Sequence, residues 1–167
     1  MSASSLNDVS LADFAISKLK HYGISASRVC FELTETATVA NLKNATLIMQ
    51  ILSAQGCEFA LDDFGAGFSS FFYLRTLPVE FVKIDGSLVK DIATNRANFD
   101  IVKSINQIAQ ALGKRTIAEY IEDEESLNVL KEMSVDYAQG YYLGKPKSVR
   151  EFDLFAFAST VVGLEPV

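Results

Sequence analysis

Apolar side chains recur with two different periods along the chain, and the two kinds of segment alternate. Spacings of three and four residues predict helices over residues 8–22, 37–55, 95–112, 124–133 and 149–159. Short apolar runs bounded by turn residues predict strands over residues 28–33, 57–62, 79–84, 115–119 and 135–139. Strands that alternate with helices form a parallel sheet covered by helices. The pattern therefore predicts an α/β domain.

The alternation of side chains within each predicted strand separates apolar from polar residues. In residues 57–62, Phe59 and Leu61 point to one side, and Ala60 and Asp62 point to the other. Five strands are too few to close an eight-stranded barrel, so they form either a small open sheet or most of a barrel. In a barrel the polar side faces the interior, and active sites lie at the C-terminal ends of the strands. The polar residues expected to meet at that end are Glu32, Asp62, Lys83, Asp85, Glu119 and Gln139.

The length and net charge of the chain exclude some classes of function. The 167 residues are enough for one domain with a buried core, and the net charge of −6 argues against a nucleic-acid or membrane surface. We therefore expect no DNA partner and no membrane contact. No apolar run approaches the roughly 18 residues that span a bilayer. The first residues lack the basic and apolar regions of a signal peptide, so a cytoplasmic location is expected.

The cysteines and the histidine do not suggest a nucleophilic site. Cys30 and Cys57 lie in predicted strands and fit no Cys/His metal pattern. Buried, reduced thiols are the expected state, and a disulfide between the two is the alternative. The single histidine, His21, lies outside every strand end, so no Ser-His-Asp or Cys-His arrangement is predicted.

Carboxylates at the strand ends are the candidates for chemistry. Asp62 and Asp63 are adjacent and repel each other unless a divalent cation lies beside them, and such hard oxygen ligands favour Mg²⁺ or Mn²⁺. A metal-activated water would then be the nucleophile. The alternative is a structural network in which Lys83 balances buried carboxylates and no substrate binds. Two further glutamate pairs, each spaced three residues apart, follow other strands: Glu32 with Glu35, and Glu119 with Glu122.

Five motifs occur in order along the chain: FELTE (31–35), LDDFGAGFSS (61–70), VKIDG (82–86), TIAEYIE (116–122) and QGYYLGKP (139–146). In sequence and spacing this set resembles the EAL-domain family, bacterial phosphodiesterases that linearise cyclic di-GMP. The resemblance extends over residues 2–146. It implies a modified (β/α)₈ barrel of the TIM type and metal-dependent hydrolysis of cyclic di-GMP to the linear dinucleotide pGpG.

The resemblance also implies a two-metal centre that holds Mg²⁺ or Mn²⁺. Glu32 resembles a ligand of the first metal ion, and Asp62 resembles a ligand shared at the centre. Asp63 resembles a ligand of the second metal ion. Asp85 is similar to a residue that contacts a nearby water molecule or metal ion.

The remaining matched positions are implied to act on the substrate or to line the site. Lys83 resembles the lysine that orients the attacking water, and Glu119 resembles the catalytic carboxylate, as general base or metal partner. Glu35 resembles the residue that steadies the loop after the aspartate pair. Glu122 and Gln139 resemble residues that line the site.

The chain departs from the family pattern at two places. Tyr120 stands where the family usually has glycine between two glutamates. The glutamate of the family's Glu-Ala-Leu motif and an asparagine ligand would both precede Met1. We therefore expect residues 1–167 to be the C-terminal two-thirds of a single EAL domain. The first strand, the first helix and most of the second strand would be missing from its barrel.

These departures lead to two expectations. An incomplete metal site predicts that the isolated chain is inactive or nearly so. An open barrel seam predicts a homodimer or domain-swapped oligomer, or else aggregation. The alternative to a phosphodiesterase domain is a non-catalytic module that binds cyclic di-GMP or another protein. A membrane anchor elsewhere in a parent protein is compatible with either function.

Overall fold

A single parallel sheet organises the chain in the computed structural model, which describes residues 1, 5–67 and 71–148. The strands pair in chain order, and every pair is parallel. The C-terminal ends of all five therefore lie at the same edge of the sheet. The strands are β1 (Cys30–Thr34), β2 (Glu58–Phe64), β3 (Phe81–Ile84), β4 (Arg115–Ala118) and β5 (Tyr137–Ala138).

An α-helix precedes β1, and helices lie between each pair of consecutive strands, as parallel pairing requires. In the described ranges they are α1 (Ser10–Tyr22), α2 (Glu35–Ala40), α3 (Leu42–Ser53), α4 (Phe71–Thr76), α5 (Gly86–Val89), α6 (Arg96–Ala111) and α7 (Glu124–Glu132). Among these described helices, none is both long and apolar enough to cross a membrane.

One face of the sheet supplies most of the core. Side chains of one parity in β1, β2 and β3 have no exposed surface and belong to the same hydrophobic cluster as residues of α3 and α6. These strand residues are Leu33, Phe59, Leu61, Val82 and Ile84. The opposite parity carries polar groups, among them an ion pair of 3.0 Å between Arg115 and Glu58. The predicted separation of apolar and polar sides is therefore confirmed.

The predicted helix over residues 37–55 is broken in the structure. It divides at Asn41, whose φ of −139° and ψ of 49° are not helical. The Asn41 side chain donates a hydrogen bond of 3.4 Å to the carbonyl of Leu6 and another to the side chain of Asn7. Because these partners lie about 35 residues earlier in the chain, the helix break cannot be predicted from the local spacing of apolar residues.

The other differences from prediction concern element length. All five predicted strands are present, but β2 extends to Phe64 and β5 is reduced to two residues. The helices α4 and α5 were not predicted, because six and four residues are too few to show a helical period. The helix predicted over residues 149–159 lies outside the described residues.

Leucines on α3 test the position of the core. Leu52 is fully buried, whereas Leu47 on the same helix is 42% exposed. We expect Leu52→Ala to lower the free energy of unfolding by about 2–5 kcal/mol, because the truncation leaves a cavity. Leu47→Ala should cost less than about 1 kcal/mol. Urea denaturation followed by circular dichroism measures both, and equal losses would contradict the helix orientation.

Candidate metal centre

A buried lysine connects acids from three neighbouring strands. The Lys83 side chain on β3 is 6% exposed. Its Nζ lies 2.8 Å from Asp62 Oδ1 on β2 and 2.8 Å from Glu119 Oε1, directly after β4. Glu32 Oε2 on β1 is 3.4 Å away. The predicted convergence of these four side chains is present in the structure, and it follows from parallel pairing with a common side-chain parity.

Lys83 is held in its charged form. Burial acts to lower its pKa, but hydrogen bonds to Asp62 and Glu119 and the charges of the same two carboxylates outweigh burial and raise the pKa above its usual value. A charged ammonium in this position needs the acids around it, because an unpaired buried charge costs several kcal/mol. The lysine therefore remains a permanent cation and hydrogen-bond donor at neutral pH.

The pKa values of two of the acids are also raised, which for a carboxyl group disfavours the charged form. Desolvation raises the pKa of Glu119, although its hydrogen bond and ion pair with Lys83 act to lower it. Desolvation also raises the pKa of Asp63, and the negative charges of Asp62 and Asp85 raise it further. The ionised cluster is therefore electrostatically strained, and an additional positive charge would relieve it.

The carboxylates of Asp62 and Asp63 lie on the same side of the sheet because the backbone of β2 is irregular at this point. Consecutive strand residues normally point to opposite faces. Asp63 has a left-handed φ of 56°, and the pairing register between β2 and β3 shifts between Leu61 and Phe64. This backbone change ends the alternation and brings both carboxylates to one side.

The cluster has the composition of a site for a hard cation. Oxygens of Asp62, Asp63 and Glu119 all lie within 4.8 Å of one another. Asp62 Oδ1 is buried, and within the described residues its only polar partner is the Lys83 ammonium. Carboxylate oxygens without nitrogen or sulfur donors suit Mg²⁺ or Mn²⁺. These residues therefore fit the divalent cation that the sequence analysis predicts, while its identity stays a prediction.

Glu32 and Asp85 lie at the same end of the sheet but have different surroundings. The Glu32 side chain is 53% exposed and reaches the cluster only through Lys83. The Asp85 carboxylate accepts hydrogen bonds from the backbone and hydroxyl groups of Ser87 and so caps the N-terminus of α5. Its charge nevertheless acts on Asp63. Asp85 thus has a structural function, and its predicted metal contact stays a prediction.

The three residues predicted to line the site are more peripheral. Glu35 is buried in the first turn of α2, directly after β1. Glu122 and Gln139 are exposed, and in the described part of the chain neither side chain bonds to the cluster. The backbone of Gln139 bridges the ends of β4 and β5, donating to Ala118 and accepting from Ile121.

Tyr120 follows Glu119 in a left-handed backbone conformation, with a φ of 66°. This conformation costs a bulky residue about 1–2 kcal/mol and is free of that cost for glycine. Tyrosine in place of glycine, the departure noted in the sequence, therefore carries a backbone cost. The sequence identified Tyr120 as a departure but gave no indication of its backbone conformation.

Both cysteines are free thiols, so the predicted reduced state is confirmed, and burial is confirmed for Cys57 only. Cys30 lies on the polar face of β1 and is exposed. Desolvation of its thiol and the negative charges of Glu58, Glu32 and Glu80 raise its pKa to about 11. An exposed thiol with this pKa is mostly protonated, and therefore weakly nucleophilic, at neutral pH.

The fold and the cluster define a parallel α/β domain with an acidic centre at its strand ends. The chain belongs to the EAL-domain family, because the family model described as "EAL domain" matches residues 1–146. It is 38% identical over 152 residues to a protein of Shewanella oneidensis named cyclic di-GMP phosphodiesterase PdeB. That match covers 91% of this chain and 18% of the relative.

Solved structures agree with this assignment. The PaMucR phosphodiesterase in complex with c-di-GMP superposes with a TM-score of 0.85 at 28% identity, covering 90% of this chain and 61% of that chain. The FimX EAL domain of Xanthomonas citri in complex with c-diGMP has a TM-score of 0.84 at 27% identity, covering 92% of this chain and 60% of that chain. The neighbours are TIM-barrel-type EAL domains, and the open five-stranded sheet is consistent with an incomplete barrel of this type.

Binding of a cation should stabilise the folded chain. With Mg²⁺ or Mn²⁺ at about ten times its dissociation constant, we expect a rise in Tm of about 3–6 °C. Asp62→Asn should abolish most of this rise, because it removes the negative charge and replaces one carboxylate oxygen with an amide NH₂ group that does not bind a cation. Glu132→Gln is the matched control, since Glu132 is exposed at the opposite end of α7 from the cluster. Thermal unfolding measures the shift, and the same rise in Asp62→Asn as in the unsubstituted chain would contradict the site.

The high pKa of Cys30 predicts slow alkylation. At pH 8 a thiol with a pKa of about 11 has about 100-fold less thiolate than one at the ordinary value of 9.0. We expect its rate with iodoacetamide to rise about tenfold per pH unit from pH 7.5 to 9.5 without levelling. Peptide mapping by mass spectrometry measures the rate at this residue, with a cysteine-containing peptide as control. A plateau near pH 9 would contradict the prediction.

Proposed function

We propose that this chain supplies catalytic and metal-binding residues of a metal-dependent phosphodiesterase that opens cyclic di-GMP to the linear dinucleotide. The observation that carries the proposal is the cluster around Lys83, in which Asp62 and Glu119 each lie 2.8 Å from its ammonium. Membership of the EAL family supports the substrate class, as do the names of relatives. The chain spans about a fifth of its curated relative and about 60% of the solved chains, so the activity of the whole protein is part of the proposal.

The acids are proposed to hold the cation. Asp62, Asp63 and Glu119 supply the central oxygens, with Glu32 and Asp85 at the periphery. When bound, a divalent cation would neutralise charge on the phosphodiester and make water a better nucleophile. The same acids explain the need for a cation, since desolvation and mutual repulsion raise the pKa of both Asp63 and Glu119.

Lys83 and Glu119 are proposed to act on the attacking water and the phosphodiester. The Lys83 ammonium is a charged donor that orients the water and stabilises negative charge on the phosphoryl oxygens. It also fixes the carboxylates of Asp62 and Glu119 by its two contacts of 2.8 Å. Glu119 is proposed to accept a proton, and its raised pKa supports this role because a general base works best with a pKa near neutral pH.

The number of ligands limits the chain on its own. Mg²⁺ prefers six oxygens in near-octahedral geometry. The described residues bring only three carboxylates to within 4.8 Å of one another. Three carboxylates can hold one Mg²⁺ together with water molecules. A second ion of the two-metal centre that the resemblance implies would need donors beyond these three. We therefore propose that the 167-residue chain alone turns over cyclic di-GMP slowly or not at all.

The second candidate is a module that binds cyclic di-GMP without hydrolysis. This candidate is favoured because the Lys83 ammonium already partly neutralises the carboxylates of Asp62 and Glu119. With this contact the cluster is partly satisfied without any cation, which is the arrangement expected of a structural network. A protein-interaction module is the broader form of the same candidate.

Self-association and location are also proposed. In the described residues β1 and β5 are edge strands, and edges with free backbone groups favour pairing with another chain. We therefore propose a homodimer or a domain-swapped oligomer. The free thiols Cys30 and Cys57 support a cytoplasmic location.

Hydrolysis decides between the two candidate functions. The chain is incubated with cyclic di-GMP and saturating Mg²⁺ or Mn²⁺, and the linear product is followed by chromatography. Because Glu119 acts as base and ligand, we expect Glu119→Gln to lower the rate by about 10²–10⁴-fold. Glu132→Gln should leave it unchanged. A rate that is independent of Glu119 would contradict the proposal. Because slow turnover is expected of the chain alone, the assay runs at high chain concentration over many hours. Binding without any product under these conditions would favour the non-catalytic module.

A further inference from the structure

Tyr120 combines backbone strain with solvent exposure. Its left-handed φ of 66° is unfavourable for an aromatic residue, and its side chain is nevertheless 61% exposed. Strained residues are retained when the surrounding structure uses them, and they cluster at functional sites. Burial does not account for this residue, because most of its surface stays in contact with solvent.

The Tyr120 side chain rests against a glycine. A Cβ added at Gly86 would lie 2.7 Å from Tyr120 Cβ, 2.8 Å from its Cγ and 2.9 Å from its Cδ2. Gly86 begins α5 directly after Asp85, at the end of β3. The absence of a side chain at residue 86 therefore lets the tyrosine lie over the end of the neighbouring strand.

This position places the aromatic side chain at the rim of the acidic centre. Glu119, which contacts Lys83 at 2.8 Å, directly precedes Tyr120. On the other side, Asp85 directly precedes Gly86, and its charge acts on Asp63. Tyr120 thus directly follows one acid of the site, and its side chain lies against the glycine that directly follows another, while most of the ring stays exposed.

Neither the backbone conformation nor the packing at residue 120 requires a tyrosine. A left-handed turn is met at lower cost by glycine or asparagine. Contact with Gly86 covers only a minor part of the side chain. The feature that tyrosine adds at this position is an exposed aromatic ring beside the carboxylates.

We propose that Tyr120 is a specificity residue that stacks on a guanine base of the nucleotide while the acids bind its phosphate. This inference rests on the proposed function. Aromatic stacking on a base is sequence-tolerant and contributes through a planar face, which an exposed tyrosine provides. Because the ring would contact the base and not the phosphodiester, it should act on affinity more than on the rate of the bound complex.

Two ligands that differ by the base test the proposal. Guanosine 5′-monophosphate carries the base, and ribose 5-phosphate lacks it. Each is titrated into the full chain by calorimetry with Mg²⁺ present. Tyr120→Asn keeps a residue that tolerates the left-handed backbone but removes the ring. We expect it to weaken binding of the guanine nucleotide by about 5- to 150-fold and binding of ribose 5-phosphate by less than about twofold.

Tyr120→Phe is the matched control, because it keeps the ring and removes only the hydroxyl. We expect it to bind the guanine nucleotide within about threefold of the unsubstituted chain. Circular dichroism and thermal unfolding show whether each variant is folded. Retained binding by the phenylalanine variant distinguishes stacking from a role of the phenolic hydroxyl.

The other possible results contradict either the stacking proposal or the proposed function. Equal losses for both ligands in Tyr120→Asn would show that the residue only positions the acids. Unchanged affinity for the guanine nucleotide would likewise overturn stacking. If the unsubstituted chain binds neither cyclic di-GMP nor the guanine nucleotide, both the proposed function and the stacking proposal are wrong. Binding that depends on the base, without hydrolysis, would contradict the proposed catalysis but support the proposal that Tyr120 stacks on the base.

Discussion

The contact of one buried ammonium with carboxylates from three strands is the interaction on which the site depends. Lys83 is almost fully enclosed, and its charge is tolerated because Asp62 and Glu119 lie within 2.8 Å. The acids in turn lie together because the lysine offsets part of their repulsion. Removal of either sign of charge would leave the other buried and uncompensated. The ends of β2, β3 and β4 are therefore held as one electrostatic unit.

These ion pairs hold the strand ends together and also form the candidate site. The core on the opposite face of the sheet fixes the strands through fully buried residues such as Phe59 and Val82. The polar face then receives its geometry from the same strands, so the packing that stabilises the fold also sets the distances between the acids. Residual strain stays in the cluster, as the raised pKa values of Asp63 and Glu119 indicate. Such strain is typical of sites that bind a further ligand.

Sequence patterns predicted the parts that follow from periodicity. Parallel pairing and a period of two were enough to bring Glu32, Asp62, Lys83 and Glu119 together, because all four share a parity at one edge. The break at Asn41 was not predictable, since it depends on partners near the N-terminus. Neither was the function of Asp85 as a helix cap, because a cap and a metal ligand use the same carboxylate. The exposure of Cys30 was also missed, since it depends on what covers the polar face.

The left-handed backbone at Asp63 has a consequence for how this site is lost or altered. Two adjacent carboxylates lie on the same side of the sheet only because one peptide unit is rotated out of the strand geometry. Their separation is thus set by a single torsion and not by the packing of two elements. A substitution nearby that returned residue 63 to an extended conformation would turn its carboxylate to the opposite face of the sheet. Every acid would remain in the sequence, and the size of cation that the site accepts would still change.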